Sequence, residues 1–139
     1  RRINWMLKKP IRILVLALGS NDGLRGLDPS FTKQNLQAII EITKQYYPRA
    51  EIMIAGLKAP PNMGSGYTEN FETIFTELAE VNNAVLIPFL LEDVAGVDTL
   101  NQADGIHPNV EGQHILAETV WKYLKPLLAE INAPINNID

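Results

Sequence analysis

Ile11-Arg-Ile-Leu-Val-Leu-Ala-Leu18 runs without a break into Gly19-Ser-Asn-Asp-Gly-Leu-Arg-Gly26, and the fold is decided at this join. Ile, Leu and Val in near-continuous succession predict a short strand buried on both faces, the kind that lies inside a parallel sheet. The Gly, Ser, Asn and Asp that follow predict a loop beyond the strand's carboxyl end. Upstream, residues 3 to 8, with Trp5 and Leu7 and a stop at Pro10, read as the end of a helix packed on that sheet.

Outward from the join, helical and strand patterns take turns. Asp28-Pro29-Ser30 offers a cap and a first-turn proline for a helix over Phe31 to Tyr46, with Leu36, Ile39, Ile40 and Tyr47 on one face. Pro48 ends it, Glu51 to Ala55 reads as a second strand, and Ala59 to Gly66 is a loop dense in Pro and Gly. Phe71, Ile74, Phe75, Leu78 and Ala79 mark the face of a second helix, and Ala84 to Ile87, before Pro88, a third strand. Asn109 is placed to cap a last helix with the face Leu116, Val120, Leu124 and Leu127, which Pro126 should kink or end; the polar tail 133–139 should fray. Such alternation predicts an α/β architecture with a parallel sheet and right-handed crossovers, as one domain over residues 1–139. Ligands of such sheets sit beyond the strands' carboxyl ends, so chemistry is to be sought in residues 19–26, 58–67 and 93–109.

Composition narrows the possibilities. With 46% hydrophobic and 20% charged residues, 139 residues suffice for one ordinary globular core. A net charge of −4 with scattered Lys and Arg gives no basic field to hold a polyanion, so nucleic acid is not an expected partner. The absence of Cys excludes disulfides, thiolate metal sites and a Cys nucleophile. The longest purely apolar run, Ile13 to Leu18, is far short of the roughly 20 residues a membrane-spanning helix needs.

Two short stretches carry chemistry. Asp104-Gly-Ile-His107 spaces a carboxylate three residues before an imidazole, so the Asp can turn back onto Nδ1, fix the tautomer and leave Nε2 as a base. An Asp-Gly turn with a solvent-exposed His has the same spacing. Gly19-Ser-Asn-Asp22 could project the Asn21 amide over the sheet edge toward a developing oxyanion, or could be a polar turn. Ser20 reads as a turn residue, Ser30 as part of a helix cap and Ser65 as a loop residue; His114 lies on a helix face. Asp22, Asp104 and His107 are too scattered to predict a metal site, and the glycine loop lacks the G-x-G-x-x-G pattern or Lys of a phosphate loop, so no cofactor is expected. Met63 and Tyr67, with Met53 and Phe71, border the breaker-rich loop and either line an acyl pocket or pack it.

Taken together, Gly19-Ser-Asn-Asp22 and Asp104-Gly-Ile-His107 resemble the G-x-N-D and D-x-x-H blocks of the SGNH (GDSL-type) serine hydrolases, on the proper elements and in the proper order. The wider strings Leu18 to Gly26 and Asp104 to Asn109 resemble most the bacterial thioesterase, arylesterase and lysophospholipase subgroup, and the likeness runs over essentially the whole chain. The resemblance implies a three-layer α/β/α flavodoxin-like fold and an esterase or thioesterase acting on a small acyl ester or thioester. It implies Asn21, with Gly19, in the oxyanion hole, His107 as general base and Asp104 as its partner. The family's G-D-S-L block, on its N-terminal strand, and the second-block Gly do not occur in these residues. The expectation is therefore a fragment, a cleaved form or half of a two-chain enzyme, inactive alone, whose nucleophilic Ser comes from a missing N-terminal segment or second chain. The non-Met start, Arg1-Arg2, fits this. That segment's strand would lie beside Ile11 to Leu18, so stable folding is expected to need it or self-association along that edge. The subgroup further implies a periplasmic or secreted location. The competing expectation is a noncatalytic flavodoxin-like binding or structural module.

Overall fold

The computed structural model describes residue 3 and residues 7–132. By contact the chain divides into two compact units, Arg1–Leu90 and Leu91–Asp139, each of which is described by itself.

The first unit is a parallel sheet with its crossover helices. It comprises β1 (Ile13–Leu16), α1 (Ser20–Leu24), α2 (Pro29–Tyr46), β2 (Glu51–Ala55), α3 (Ser65–Asn82) and β3 (Val85–Ile87). The strands lie side by side in the order β1-β2-β3, all parallel, with Leu14 opposite Ile52 and Leu16 opposite Ile54, which in turn faces Leu86. Two successive right-handed crossovers that move across a sheet in one direction place both helices on the same face. Accordingly α2 and α3 touch through the Lys33–Glu77 ion pair at 2.6 Å and a reciprocal amide pair between Gln37 and Asn82 at 2.7 and 3.2 Å.

The alternation of strand side chains decides what the core is. Leu16, Ile52 and Ile54, with Leu14 and Leu86 packed against them, meet Leu36 and Ile40 of α2 and Phe71, Ile74, Phe75 and Leu78 of α3. On the opposite face of the sheet Met53, Ala55 and Ile87 are also buried. The α2 cap is as expected: Asp28 Oδ1 accepts from the Ser30 N–H at 2.9 Å and Pro29 sits in the first turn. Thr32 and Thr43 join Leu36 and Ile40 on the buried face, and the Thr43 hydroxyl donates to the Ile39 carbonyl at 2.8 Å.

Four local expectations need correction. The first strand spans four residues and is not buried on both faces: Val15 is 41% exposed, because β1 is the sheet edge among the described residues. Residues 20–24, expected as loop, form the short helix α1. Ser65 and Tyr67 belong to the first turn of α3 rather than to the preceding loop, which holds a 3-10 turn at Pro61–Met63. Ser30 is capped by Asp28 rather than helping to cap. Of the helical end expected over residues 3 to 8, residues 4–6, with Trp5, lie outside the described residues. Ile3 and Leu7 are buried, and the Tyr47 hydroxyl donates to the Leu7 carbonyl at 2.7 Å.

The second unit holds a run of turns from residue 91, a 3-10 turn at Asp98–Leu100 and the helix α4 (Val110–Asn132). Asn109 caps α4, its Oδ1 accepting from the Gly112 N–H at 3.1 Å. The predicted face is right, with Leu116, Val120 and Leu124 half-buried and Leu127 buried, but Pro126 does not end the helix, which continues to Asn132. The frayed tail expected at 133–139 lies outside the described residues. No helix among the described residues is long and apolar enough to cross a membrane.

The core assignment has a direct test. Leu78 is 1% exposed and Val81, one turn away, 77%. Leu78→Ala should lower unfolding free energy by about 2–5 kcal/mol and Val81→Ala by less than about 0.5 kcal/mol, read as the shift in urea midpoint.

Candidate active site

Asp104 and His107 occupy a loop of the second unit that is tied off at its base. Asn101 and Pro108 form an antiparallel bridge, the Gln102 N–H donates to the His107 carbonyl at 2.7 Å, and the Asn109 N–H to the Leu100 carbonyl at 2.9 Å. Beneath the bridge the buried Asn101 side chain donates to the carbonyls of Val94 and Val97 at 2.7 and 2.8 Å. The Asn109 amide donates to the Thr99 carbonyl at 2.8 Å while capping α4. Both ends of the loop are therefore held by amide side chains that donate to backbone carbonyls.

Within the loop the Asp104 carboxylate is oriented by its own backbone. Oδ1 accepts from the N–H groups of Ile106 at 2.9 Å and His107 at 3.0 Å, and Oδ2 lies 2.7 Å from His107 Nδ1. The His107 N–H first, then that of Ile106, then the imidazole, hold the Asp104 carboxyl far below the usual carboxylate range. An ionised carboxylate can only accept, so a neutral His107 carries its proton on Nδ1 and keeps a lone pair on Nε2. The imidazole is 68% exposed, which leaves that lone pair open to solvent. Since the folded Asp104 is depressed, its stabilising contribution is present above the ordinary carboxylate pKa of about 4 and is lost only as pH falls through the lower folded value.

In the first unit Gly19, at φ 115°, turns the chain from β1 into α1, and its carbonyl accepts from Asp22 and Gly23 N–H groups, both at 3.0 Å. Asn21 is the second residue of α1 and is exposed. The helix closes in a Schellman motif about Gly26, at φ 65°: Leu27 N–H reaches the Asp22 carbonyl at 3.1 Å and Gly26 N–H the Gly23 carbonyl at 3.3 Å. Asp22 Oδ2 accepts from the buried Thr32 hydroxyl at 3.0 Å. Met63 reaches Gly26, its methyl lying 2.7 Å from where a Cβ on that glycine would stand. The Tyr67 ring stacks on Phe71 with centroids 6.0 Å apart, and its hydroxyl donates to the Leu27 carbonyl at 2.8 Å.

The structure thus pairs Asp104 with His107, and sets Gly19 and Asn21 on one turn beside which Met63 and Tyr67 pack. Ser20 opens α1, Ser65 opens α3, and His114 is exposed on α4. Sequence reasoning did not single out Thr32 and Asn101, whose partners are a carboxylate ten residues away and two carbonyls in an irregular turn; neither spacing has a recognisable period.

An imidazole whose Nδ1 is held by a fixed carboxylate is a group suited to general-base chemistry. The chain belongs to the GDSL-like lipase/acylhydrolase family, whose model matches residues 2–115. Esterase TesA of Pseudomonas aeruginosa is 42% identical over 116 residues, covering 84% of this chain and 57% of the relative. Thioesterase 1/protease 1/lysophospholipase L1 of Escherichia coli is 38% identical over 117 residues, covering 84% of this chain and 55% of its own length. A crystal structure of TesA superposes with a TM-score of 0.83 at 40% identity, covering 91% of this chain and 69% of that one. That of the psychrotrophic esterase EstA from Pseudoalteromonas sp., inhibited by monoethylphosphonate, gives 0.84 at 30% identity, covering 92% and 69%. The chain spans just over half the length of these curated relatives.

Replacing Asp104 by Asn tests the orienting bond. The amide can still accept from Ile106 and His107 N–H groups, but its NH2 facing Nδ1 requires the other tautomer. In the imidazole 15N spectrum of the neutral ring, the protonated nitrogen should be Nδ1 in the native protein and Nε2 in Asp104→Asn. An unchanged tautomer would show that Asp104 does not set it.

Proposed function

We propose that the protein to which these residues belong is a serine hydrolase of carboxylic esters or thioesters, with the nucleophilic Ser on polypeptide beyond these 139 residues. His107 is the general base, Asp104 its orienting partner and Asn21 an oxyanion donor, with Gly19 shaping the turn that presents it. The observation that carries the reading is the 2.7 Å contact between Asp104 Oδ2 and His107 Nδ1, made by a carboxylate already fixed through two backbone N–H groups. The family membership and the names esterase, thioesterase and lysophospholipase among the relatives support the substrate class. The subgroup resemblance supports a periplasmic or secreted location.

In this reading Nε2 of His107 takes the Ser proton as the hydroxyl oxygen bonds to the acyl carbon. Negative charge gathers on the former carbonyl oxygen, where the Asn21 amide donates to it. Collapse expels the alcohol or thiol, which receives the proton from His107. Water then attacks the acyl-Ser, giving its proton to His107, and the acid leaves as the Ser oxygen is reprotonated.

The test uses the full-length protein, a p-nitrophenyl ester, an acyl thioester and a fluorophosphonate probe. The native protein should label on a Ser outside this segment and turn over both substrates. His107→Ala should lower kcat by at least about ten-thousandfold and Asn21→Ala by about a hundred- to a thousandfold. Absence of both labelling and turnover would favour a binding module, and full turnover in either variant would remove that residue's role.

A further inference from the structure

Three positions of the Asn21-bearing segment meet three aromatic residues of α3 in register. A methyl built on Gly19 would lie 3.6 Å from Cζ of Phe75, one on Gly23 would lie 2.8 Å from the Phe71 ring, and the Leu27 carbonyl accepts from Tyr67. Residues 19, 23 and 27 are spaced by four, as are 75, 71 and 67 in the opposite direction, so the two stretches run antiparallel with one contact per turn of α3. The rings are themselves coupled, Tyr67 stacked on Phe71 and Phe71 edge-on to Phe75 at 5.5 Å. At Gly19 and Gly23 the fit is apolar contact, which fixes distance but not rotation. Tyr67 supplies the one directional bond of the ladder, at the end where the Schellman turn closes α1. Its hydroxyl also lies 3.5 Å from the Asp22 carbonyl, the acceptor of that closure.

We propose that Tyr67 is a positioning residue for the oxyanion donor: by holding the Leu27 carbonyl, its hydroxyl locks the rotation of α1 on the aromatic ladder and so sets where the Asn21 amide points. This rests on the reading of Asn21 as oxyanion donor. Burial first, then the charges of Asp22 and Asp28, push the Tyr67 phenol up, so it stays a protonated donor through neutral and mildly alkaline pH. Thr32 holds the same turn from α2 through Asp22. The Tyr67 hydroxyl is committed to backbone, which separates this role from that of a substrate contact.

Tyr67→Phe deletes the hydroxyl and keeps the ring on Phe71. In the full-length protein it should lower kcat about ten- to a hundredfold, the cost of a misplacement on the ångström scale, with KM changed less than about twofold. The inhibition constant of an alkylboronic acid, which forms a tetrahedral adduct, should rise by the same factor as kcat falls. In an Asn21→Ala background Tyr67→Phe should cost nothing further, because both act through one amide. Thr32→Val, which cuts the other tie, should repeat the pattern and serves if Tyr67→Phe melts below the assay temperature. If Asn21→Ala retains turnover, the oxyanion reading fails and this inference with it. If Asn21→Ala is impaired but the tyrosine and threonine variants are silent, add their full cost to it, or raise KM in step with acyl length, the positioning role is overturned while the oxyanion reading stands.

Discussion

The Phe71 ring occupies space that any side chain larger than hydrogen on residue 23 would need, and the first unit is organised about that approach. Phe71 is fully buried and belongs to the cluster of Leu16, Ile52, Ile54, Leu36 and Ile40. The ring therefore both belongs to the sheet–helix core and, through its tip, supports α1. A close-packed interior transmits displacement rather than absorbing it, so the turn after β1 inherits the rigidity of the core below. A five-residue helix could not hold its shape alone, because nucleation costs more than so few hydrogen bonds return. What stabilises it is the contact with α3, the Schellman closure and the tie from Thr32.

The Asp104 loop solves a similar problem by other means. Its carboxylate and imidazole are 46% and 68% exposed, and a polar contact that open to water contributes little to stability. Packing cannot set its geometry, so hydrogen bonds do. Two backbone N–H groups fix the carboxylate, the bridge between Asn101 and Pro108 fixes the loop's width, and two Asn side chains fix its base. The depressed pKa of Asp104 is the electrostatic trace of the same donors: groups placed to orient the anion also stabilise it.

How much of this could be read from the sequence depended on whether a periodic signal existed. The helix α3 is legible residue by residue, since Phe71, Ile74, Phe75, Leu78 and Ala79 are its buried face, and β2 has the bounds the sequence predicts. The Asp104–His107 pair was legible because a spacing of three, with Gly between, permits one tight turn. Val15 was misjudged because an apolar strand reads alike at the edge and in the middle of a sheet; neighbours, not composition, decide that. Residues 20–24 have the composition of a loop because Ser, Asn, Asp and Gly prefer turns, and here tertiary contact overrides that preference. The helix likewise passes through Pro126, where the lost N–H leaves only one intrahelical bond unmade and the remaining turns continue on their buried face.

The two groups of residues also differ in the precision their proposed chemistry demands. A general base needs its lone pair on the right nitrogen, a choice between two tautomers that one short contact to a fixed carboxylate settles. An oxyanion donor needs its position to within a fraction of an ångström, because its value lies in meeting charge that exists only at the transition state. The binary choice is served by an exposed, hydrogen-bonded loop. The continuous one is served by a turn seated on a buried aromatic core and tied by the Thr32 and Tyr67 hydroxyls. A glycine at position 23 follows from that second demand: it lets the backbone under Asn21 come down onto Phe71.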